Sequence, residues 1–424
     1  MKVEEVTRRV YERRRLHRAW QQVERNAGAA GIDQMTVEDF AERKSELLDL
    51  IHMKLEAGTY RFKPARRVLI PKAGTAKKRK LGIPVVMDRI VSQSMHTVLE
   101  EIFEPEFTKS NFGFRRGKNQ HQAIEHLRQT VIEGYEWCAA VDLQSFFDEI
   151  PHGLIFKLIR RRIRDERFVT LIARALKAGV VVDGRLKRTI KGCPQGSPVS
   201  PTLSNIVLNE LDHELERRGH RYCRWADDFV IVVRSERAAR RVMESITRYI
   251  EVELELPVNR EKSLVAPVHK VEFCSFQILV GKIRVSTKAR IRFKNQVRRL
   301  TPRNNGRSMY WVIQHLNRYL QGWVGYFRIQ EFRKIFRELD EFIRSRLRSM
   351  QLKKWKKPKK FQRVMIRLGY SVEEARKTWI KMDKWQSVKR KVVKYVLNLK
   401  WFRRQRVLFL DDYTQRNLKL RFAR

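Results

Sequence analysis

The chain reads as an α+β protein, on three observations. Several segments carry apolar residues at helical spacing and stop at glycine. Others are short apolar runs bounded by turn residues. Beyond about Thr287 the helical pattern takes over almost completely. In order, Gln120–Gly134 is expected as a helix, and Trp137–Val141 as an apolar strand closed by Asp142. Gly153–Gly179 reads as helical. Val180–Val182 and Lys187–Ile190 flank Asp183-Gly184, a dipeptide that favours a tight hairpin turn. Pro201–Gly219 is again helical, and Arg221–Val233 reads as two short strands meeting at Ala226-Asp227-Asp228. Ser235–Glu251 is an amphipathic helix, and Val271–Leu279 and Lys282–Val285 are strands. Arg290–Leu300, Ser308–Phe327 and Glu331–Leu352 are helices.

Composition narrows the function classes. The 424 residues are 42% apolar and 10% aromatic, enough for packed cores and too much for a disordered chain; length allows two to four domains. Lys and Arg number 92 against 47 Asp and Glu, a net charge of +45 that calls for a polyanionic partner, nucleic acid foremost. No apolar run reaches the ~20 residues of a membrane span, so no membrane partner is expected. The N-terminus lacks an apolar signal core, so a cytoplasmic protein is expected, nucleoid-associated when on a DNA target. Cys138, Cys193, Cys223 and Cys274 are scattered without a C-x-x-C pair, which argues against a zinc site or a disulfide framework.

The charge is uneven. Residues 281–424 hold 42 Lys/Arg and 9 Asp/Glu, a net +33, which leaves 45 − 33 = +12 for residues 1–280. The densest run is Lys353, Lys354, Trp355, Lys356, Lys357, Pro358, Lys359 and Lys360. Trp311, Trp323, Trp355, Trp379, Trp385 and Trp401 are interleaved among the cations. Such residues either stack on bases while the lysines track phosphates, or form a helical core under a solvated basic face.

Three carboxylates stand where apolar strands end. Asp227 and Asp228 are adjacent at a turn and run straight into Phe-Val-Ile-Val-Val; Asp142 closes Trp137–Val141. Adjacent acids repel unless cations neutralise them, and in a basic protein this suggests a Mg2+ site that also meets phosphates. The plainer alternative is that these are turn residues, where Asp is common.

Three ordered segments tip the balance: Val141-Asp142-Leu143-Gln144-Ser145-Phe146-Phe147-Asp148, Pro194-Gln195-Gly196-Ser197-Pro198-Val199-Ser200-Pro201 and Trp225-Ala226-Asp227-Asp228. They resemble the palm motifs of reverse transcriptases, more narrowly the reverse transcriptase/maturases encoded by group II introns, of the compact bacterial type without an endonuclease domain. Residues 26–36, 70–84 (Ile70-Pro71-Lys72 through Ile83-Pro84), 111–117, 259–263 and 321–327 match further blocks in order, so the resemblance covers roughly residues 20–350. Three segments depart from the family pattern. Trp225 stands for its Tyr, Ser197 for its Gly, and Phe273-Cys274-Ser275-Phe276 for its Phe-Leu-Gly-Phe.

The resemblance implies a right-hand polymerase. Its parts would be an N-terminal extension and fingers over 1–135, a palm over 136–285 with fingers elements around 153–200, a helical thumb or maturase domain over 286–352, and a basic C-terminal nucleic-acid-binding domain over 353–424. Asp142, Asp227 and Asp228 would be catalytic and hold two Mg2+ ions, with the Leu143 carbonyl completing a shell. Lys72, Arg79, Phe147 and Gln195 would bind the deoxynucleotide triphosphate, Phe147 excluding a ribose 2′-hydroxyl. Phe146 is expected in the core, and Lys262 is a candidate general acid. Lys353, Lys354, Lys356, Lys357, Lys359 and Lys360 would bind nucleic acid. The implied activity is RNA-directed DNA synthesis, with binding of group II intron RNA to assist its splicing and its mobility by target-primed reverse transcription. The partners are intron RNA, an RNA template, a DNA primer or target, and dNTPs. A chain ending at Arg424 without the endonuclease motifs is not expected to cut the second DNA strand. An intron-free reverse transcriptase serving DNA repair or phage defence, and a maturase-only splicing cofactor, stay open as alternatives.

Overall fold

The computed structural model describes residues 2–71, 78–187, 189–304, 306–355, 357–378 and 385–413. Two compact units divide the chain, Met1–Cys274 and Ser275–Arg424.

The first unit opens with four helices, α1 (Val6–Tyr11), α2 (Arg13–Asn26), α3 (Val37–Glu42) and α4 (Lys44–Glu56). Their apolar faces, with Leu16, Trp20 and Val23 on α2 and Leu48, Ile51 and Leu55 on α4, pack around the long helix α5 (Val86–Phe103). Strands β1 (Ala65–Pro71) and β2 (Lys78–Ile83) pair antiparallel. With β4 (Val180–Val182) and β5 (Arg185–Lys187) they form a sheet in the order β2-β1-β4-β5. The hairpin at Asp183-Gly184 is therefore present, but its second strand begins at Arg185, because a two-residue turn pairs Val182 directly with Arg185.

A second sheet carries the remaining strands of this unit: β3 (Trp137–Val141), β6 (Arg221–Trp225), β7 (Asp228–Val233) and β8 (Leu264–Pro267), ordered β6-β7-β3-β8 and antiparallel throughout. Val141, Phe229, Ile231 and Val233 join one core with Ala239, Val242, Ile246 and Ile250 of α11 (Glu236–Val252), the i, i+3, i+7, i+11 stripe that made this helix legible. Ser235 caps it by accepting from the Ala238 N–H. Helix α6 is Gln120–Ile132, and a short turn of helix, α7 (Phe146–Glu149), follows β3. The helix expected over 153–179 is two, α8 (His152–Arg162) and α9 (Glu166–Lys177). Asp165 breaks it, accepting from the Phe168 N–H as the N-cap of the second and from Thr7 Oγ1. Helix α10 (Ser200–Arg217) lies under the sheet.

The second unit begins with the β9–β10 hairpin (Phe276–Leu279, Lys282–Val285). A single strand over 271–279 does not form, because Cys274 and Ser275 both adopt left-handed backbone, φ 48° and 67°. Helices α12 (Thr287–Leu300), α13 (Met309–Phe327) and α14 (Arg333–Trp355) follow, then the shorter α15 (Pro358–Arg367), α16 (Val372–Lys377), α17 (Lys391–Val396) and α18 (Leu399–Arg404). Trp323 on α13 is half-buried and packs against Phe293, Phe327 and Phe336, at the edge of the helical core.

The end of the described chain is tied to α14. Arg348 donates to the Leu397 carbonyl, and buried Asp340 accepts from the Leu410 and Asp411 N–H groups at 2.9 and 3.1 Å. Burial pushes the Asp340 carboxyl from the ordinary 3.8 up to about 7, although the two N–H donors pull it down. Below pH 4 the folded and unfolded chains both hold this proton. Between pH 4 and 7 only the folded chain holds it, so this contribution to stability is lost as pH rises through about 7. Melting curves of wild type and Asp340→Asn across pH 4–7 check this: the wild type should lose ground to the variant as pH rises, and parallel profiles would contradict it. Among the described residues no helix is long and apolar enough to cross a membrane.

Candidate active site

The palm-like sheet brings the three sequence-marked aspartates to one end. Register pairs Val141 of β3 with Phe229 of β7, so one residue further along Asp142 falls opposite Asp228. Residues opposite each other on adjacent strands project to the same face and stand ~5 Å apart at Cα. Asp227 occupies the two-residue turn between β6 and β7, closed by the Trp225–Asp228 pair. Asp142 and Asp227 are half-buried and Asp228 is exposed.

Asp142 is gripped by residues 259–263. Its N–H donates to Ser263 Oγ at 3.0 Å and its carbonyl accepts from the Asn259 N–H at 2.8 Å. Lys262 Nζ lies 3.3 Å from Asp142 Oδ1. The candidate general acid and the candidate metal ligand therefore meet, although 120 residues separate them. The pair is solvent-accessible and contributes little to stability. Leu143 buries its side chain and bridges Val258 across an isolated antiparallel step.

The turn is backed by residues the motif reading did not single out. Gly113 lies so close beneath it that a Cβ there would sit 2.1 Å from the Ala226 nitrogen. Arg224, wholly buried, donates to the Ala226 carbonyl at 3.0 Å and forms a two-pronged pair with Asp212 of α10 at 2.8 and 2.5 Å. Their signal in the sequence was a cation inside an apolar strand and an acid inside an apolar helix stripe. Cys274 also lies near: burial, and next the charge of Asp228, pushes its thiol well above the usual range.

Of the residues expected to bind a nucleotide, Phe147 is half-buried and meets Phe114 and Phe146 edge-to-face at 6.4 and 5.4 Å, with Phe146 in the core as expected. The Gln195 carbonyl accepts the Gly82 N–H of β2 at 2.7 Å. Gly196 follows at φ 116°, where a Cβ would lie 2.2 Å from the Gly82 oxygen, so this loop requires glycine to close on the strand. Arg79 is on the same strand, exposed, paired with Ile70. Lys72 lies outside the described residues, as do Lys356 and Trp379 and the side chain of Trp385.

The tail lysines sit apart from this constellation in sequence. Lys353 and Lys354 end α14, and Lys354 Nζ donates to the Arg307 carbonyl. Lys357 precedes α15, and Lys359 and Lys360 lie in its first turn. Lys353, Lys357, Lys359 and Lys360 are exposed. Trp311 is exposed, with His315 stacked on it at 3.6 Å and Arg307 over its ring at 5.0 Å.

Among the described residues no three His, Cys, Asp or Glu side chains are gathered tightly enough to hold a metal by themselves. Mg2+, however, keeps several waters and is held by one or two carboxylates together with substrate phosphates, rather than by an all-protein cage. Facing strand-end carboxylates with hard oxygen donors suit that mode, and the Lys262 ammonium against Asp142 shows that the position attracts a cation. The residues present therefore fit the ion.

Residues 70–278 match the reverse transcriptase (RNA-dependent DNA polymerase) family, and residues 291–369 match the group II intron maturase-specific domain. Protein YkfC of Escherichia coli (strain K12) is 33% identical over 283 residues, covering 58% of this chain and 74% of that protein. The group II intron-encoded protein LtrA of Lactococcus lactis subsp. cremoris is 28% identical over 347 residues, 65% of this chain and 57% of that one. An uncharacterized 91 kDa protein in the cob intron of Schizosaccharomyces pombe is 40% identical over 171 residues, 40% of this chain and 21% of that one. The chain thus spans little more than half the length of the Lactococcus relative. Among solved structures, apo telomerase from Candida tropicalis aligns with a TM-score of 0.46 at 13% identity, covering 73% of this chain and 62% of that one. The match through the polymerase segment, the maturase-specific segment behind it and the three-quarters coverage of the E. coli relative together make this chain a member of the reverse transcriptase family of the group II intron maturase type.

Proposed function

We propose that the protein synthesises DNA on an RNA template and, in a second role, binds group II intron RNA to assist splicing and target-primed mobility. One observation carries the polymerase reading: the strand register that sets Asp142 opposite Asp228, inside the segment that matches reverse transcriptases. Asp142 and Asp227, with Asp228 assisting and the Leu143 carbonyl available, are the groups to hold two Mg2+ ions. Bound there, the ions would supply activation of the primer hydroxyl and charge neutralisation on the leaving pyrophosphate. Arg79 of β2 and, by its place in the sequence, Lys72 are the cations assigned to neutralise the triphosphate, and the Gln195–Gly196 loop packs against β2. Lys262, 3.3 Å from Asp142, is the candidate general acid for the leaving group. The fingers, palm, thumb and basic C-terminal domain are assigned as 1–135, 136–285, 286–352 and 353–424. The setting is the bacterial cytoplasm, on the nucleoid when the target is DNA. Primer extension on RNA that starts with Mg2+ and stops with a chelator tests the whole reading.

Sugar selection rests on Phe147, whose ring is braced by Phe114 and Phe146 and is thereby kept from yielding to a 2′-hydroxyl. Phe147→Ala should raise ribonucleotide relative to deoxynucleotide incorporation by about tenfold or more, the effect of removing a penalty of ~1.4 kcal/mol. Competition between the two nucleotides on one template measures this ratio, and an unchanged ratio would clear Phe147 of the role.

The nucleic-acid grip is assigned to the basic second unit. Each phosphate neutralised on a single strand contributes roughly 0.7 to the slope of log affinity against log salt. Replacing Lys353, Lys357, Lys359 and Lys360 by Gln should therefore weaken RNA binding and flatten that slope by up to ~3. A slope equal to that of wild type would move the clamp elsewhere.

A further inference from the structure

Arg224 and Asp212 form an ion pair with both side chains wholly buried. Stability does not explain such a pair, since apolar residues of similar volume at both positions are often as stable or more so. Its neighbours along β6 and β7, Tyr222, Cys223, Phe229 and Val230, are the buried residues expected of a strand interior. What Arg224 adds is directional bonding. One guanidinium nitrogen donates at 3.0 Å both to the Ala226 carbonyl and to Asn205 Oδ1, and the other two take both oxygens of Asp212. Asn205 in turn donates to the Gly113 carbonyl at 2.8 Å. The Arg224 backbone is equally engaged, its N–H with the Ser110 carbonyl and its carbonyl with the Phe112 N–H, both at 2.9 Å.

The restraint converges on one residue. Ala226 holds a left-handed backbone, φ 57°, which a residue with a Cβ adopts only when its surroundings impose it. Gly113 closes it from beneath, Arg224 holds its carbonyl, and the next two residues are Asp227 and Asp228. Those two carboxylates repel each other, and a loose turn would let them swing apart. A turn locked through its backbone fixes the origin from which both carboxylates project.

We infer that Arg224, anchored by Asp212 and Asn205, is a positioning residue for the Asp227–Asp228 turn and couples it to the Ser110–Gly113 segment. This rests on the proposed role of the two aspartates in DNA synthesis. Arg224 touches no reacting group; it acts through the Ala226 carbonyl.

The test replaces the pair with apolar residues, Arg224→Met with Asp212→Leu, in the full chain. Three quantities are read: melting temperature, single-turnover primer extension on RNA, and amide hydrogen exchange by mass spectrometry. The double variant should melt no lower than wild type. Extension should fall by about 10- to 100-fold, in kcat more than in KM for the nucleotide, because displacements of ~1 Å at reacting groups cost that much. Exchange should accelerate across residues 225–228 and 110–113 and stay unchanged in β3 and α11. A purely structural role would lower melting temperature and protection together. A stable double variant with wild-type extension and wild-type exchange at the turn overturns the inference. Should the double variant fail to fold, Asn205→Ala keeps the ion pair and breaks the link to Gly113. It should show a smaller loss of rate with faster exchange at 110–113, and wild-type values in both would again overturn the inference. Wild-type protein that extends no primer under Mg2+ would overturn the polymerase reading and, with it, the claim that the turn is held for catalysis. An active wild type with an unaffected variant removes the inference alone.

Discussion

Replacing Asp227 and Asp228 together by alanine should reduce primer extension by at least about 10³-fold while leaving RNA binding intact. Metal-assisted chemistry supplies several kcal/mol, and each ~1.4 kcal/mol is a factor of ten. Folding should survive, because Asp228 is exposed, Asp227 is half-buried, and the sheet beneath them is held by the buried Phe229–Val233 run. RNA affinity should hold or rise slightly, since two negative charges leave a protein of net charge +45. Where an intron flanks the gene, its splicing should persist in the same variant, because the grip on RNA is assigned to distributed cations and not to these acids. Primer extension and splicing measured side by side check the division. Loss of both activities in a folded variant would mean that the aspartates also organise the RNA-binding surface.

Gly113→Ala should be nearly as severe, though no charge changes. The new Cβ would lie 2.1 Å from the Ala226 nitrogen and 2.9 Å from its Cα, so backbone must move, and the backbone it meets belongs to the turn that carries Asp227. Overpacking of this kind costs about 1–3 kcal/mol of stability. A displacement of ~1 Å at the carboxylates is worth roughly 10²-fold in rate. Thermal melts and single-turnover extension at a temperature where the variant is folded separate the two effects. Wild-type turnover in Gly113→Ala would show that the turn absorbs the methyl group without shifting its acids.

These effects trace to features of differing legibility. The three aspartates stood out because each ends or opens a run of apolar residues, where a charged side chain is out of keeping with its neighbours. The register that sets Asp142 against Asp228 is a long-range pairing and became visible only in the sheet. Strand β8 went unread: Leu264–Pro267 is short, ends in proline, and owes its extended form to pairing with β3, far off in sequence. The break at Asp165 was hidden because apolar periodicity runs through 153–179, and the cap competes with it locally. The expected strand over 271–279 ignored Cys274 and Ser275, two side-chain-bearing residues in left-handed backbone that apolar periodicity does not reveal. Arg224 and Asp212 are 12 positions apart and on different elements, so neither spacing nor periodicity could pair them. Charge asymmetry, by contrast, was legible from counting alone. Of the interleaved tryptophans, Trp323 packs half-buried on Phe293 and Trp311 is exposed beneath a guanidinium.

The central claim is that the strand-end carboxylates of the second sheet direct DNA synthesis on RNA, and Asp142 tests it most directly, because Asp142 alone comes from a separate strand. The measurement is single-turnover addition of one deoxynucleotide to a DNA primer annealed to RNA, begun by adding Mg2+, for wild type and Asp142→Asn at matched RNA occupancy. Asparagine keeps the shape and removes the charge, and the main-chain bonds to Ser263 and Asn259 are untouched. The account predicts rapid extension by wild type and a fall of at least about 10³-fold in the variant. Extension by Asp142→Asn at the wild-type rate would contradict it.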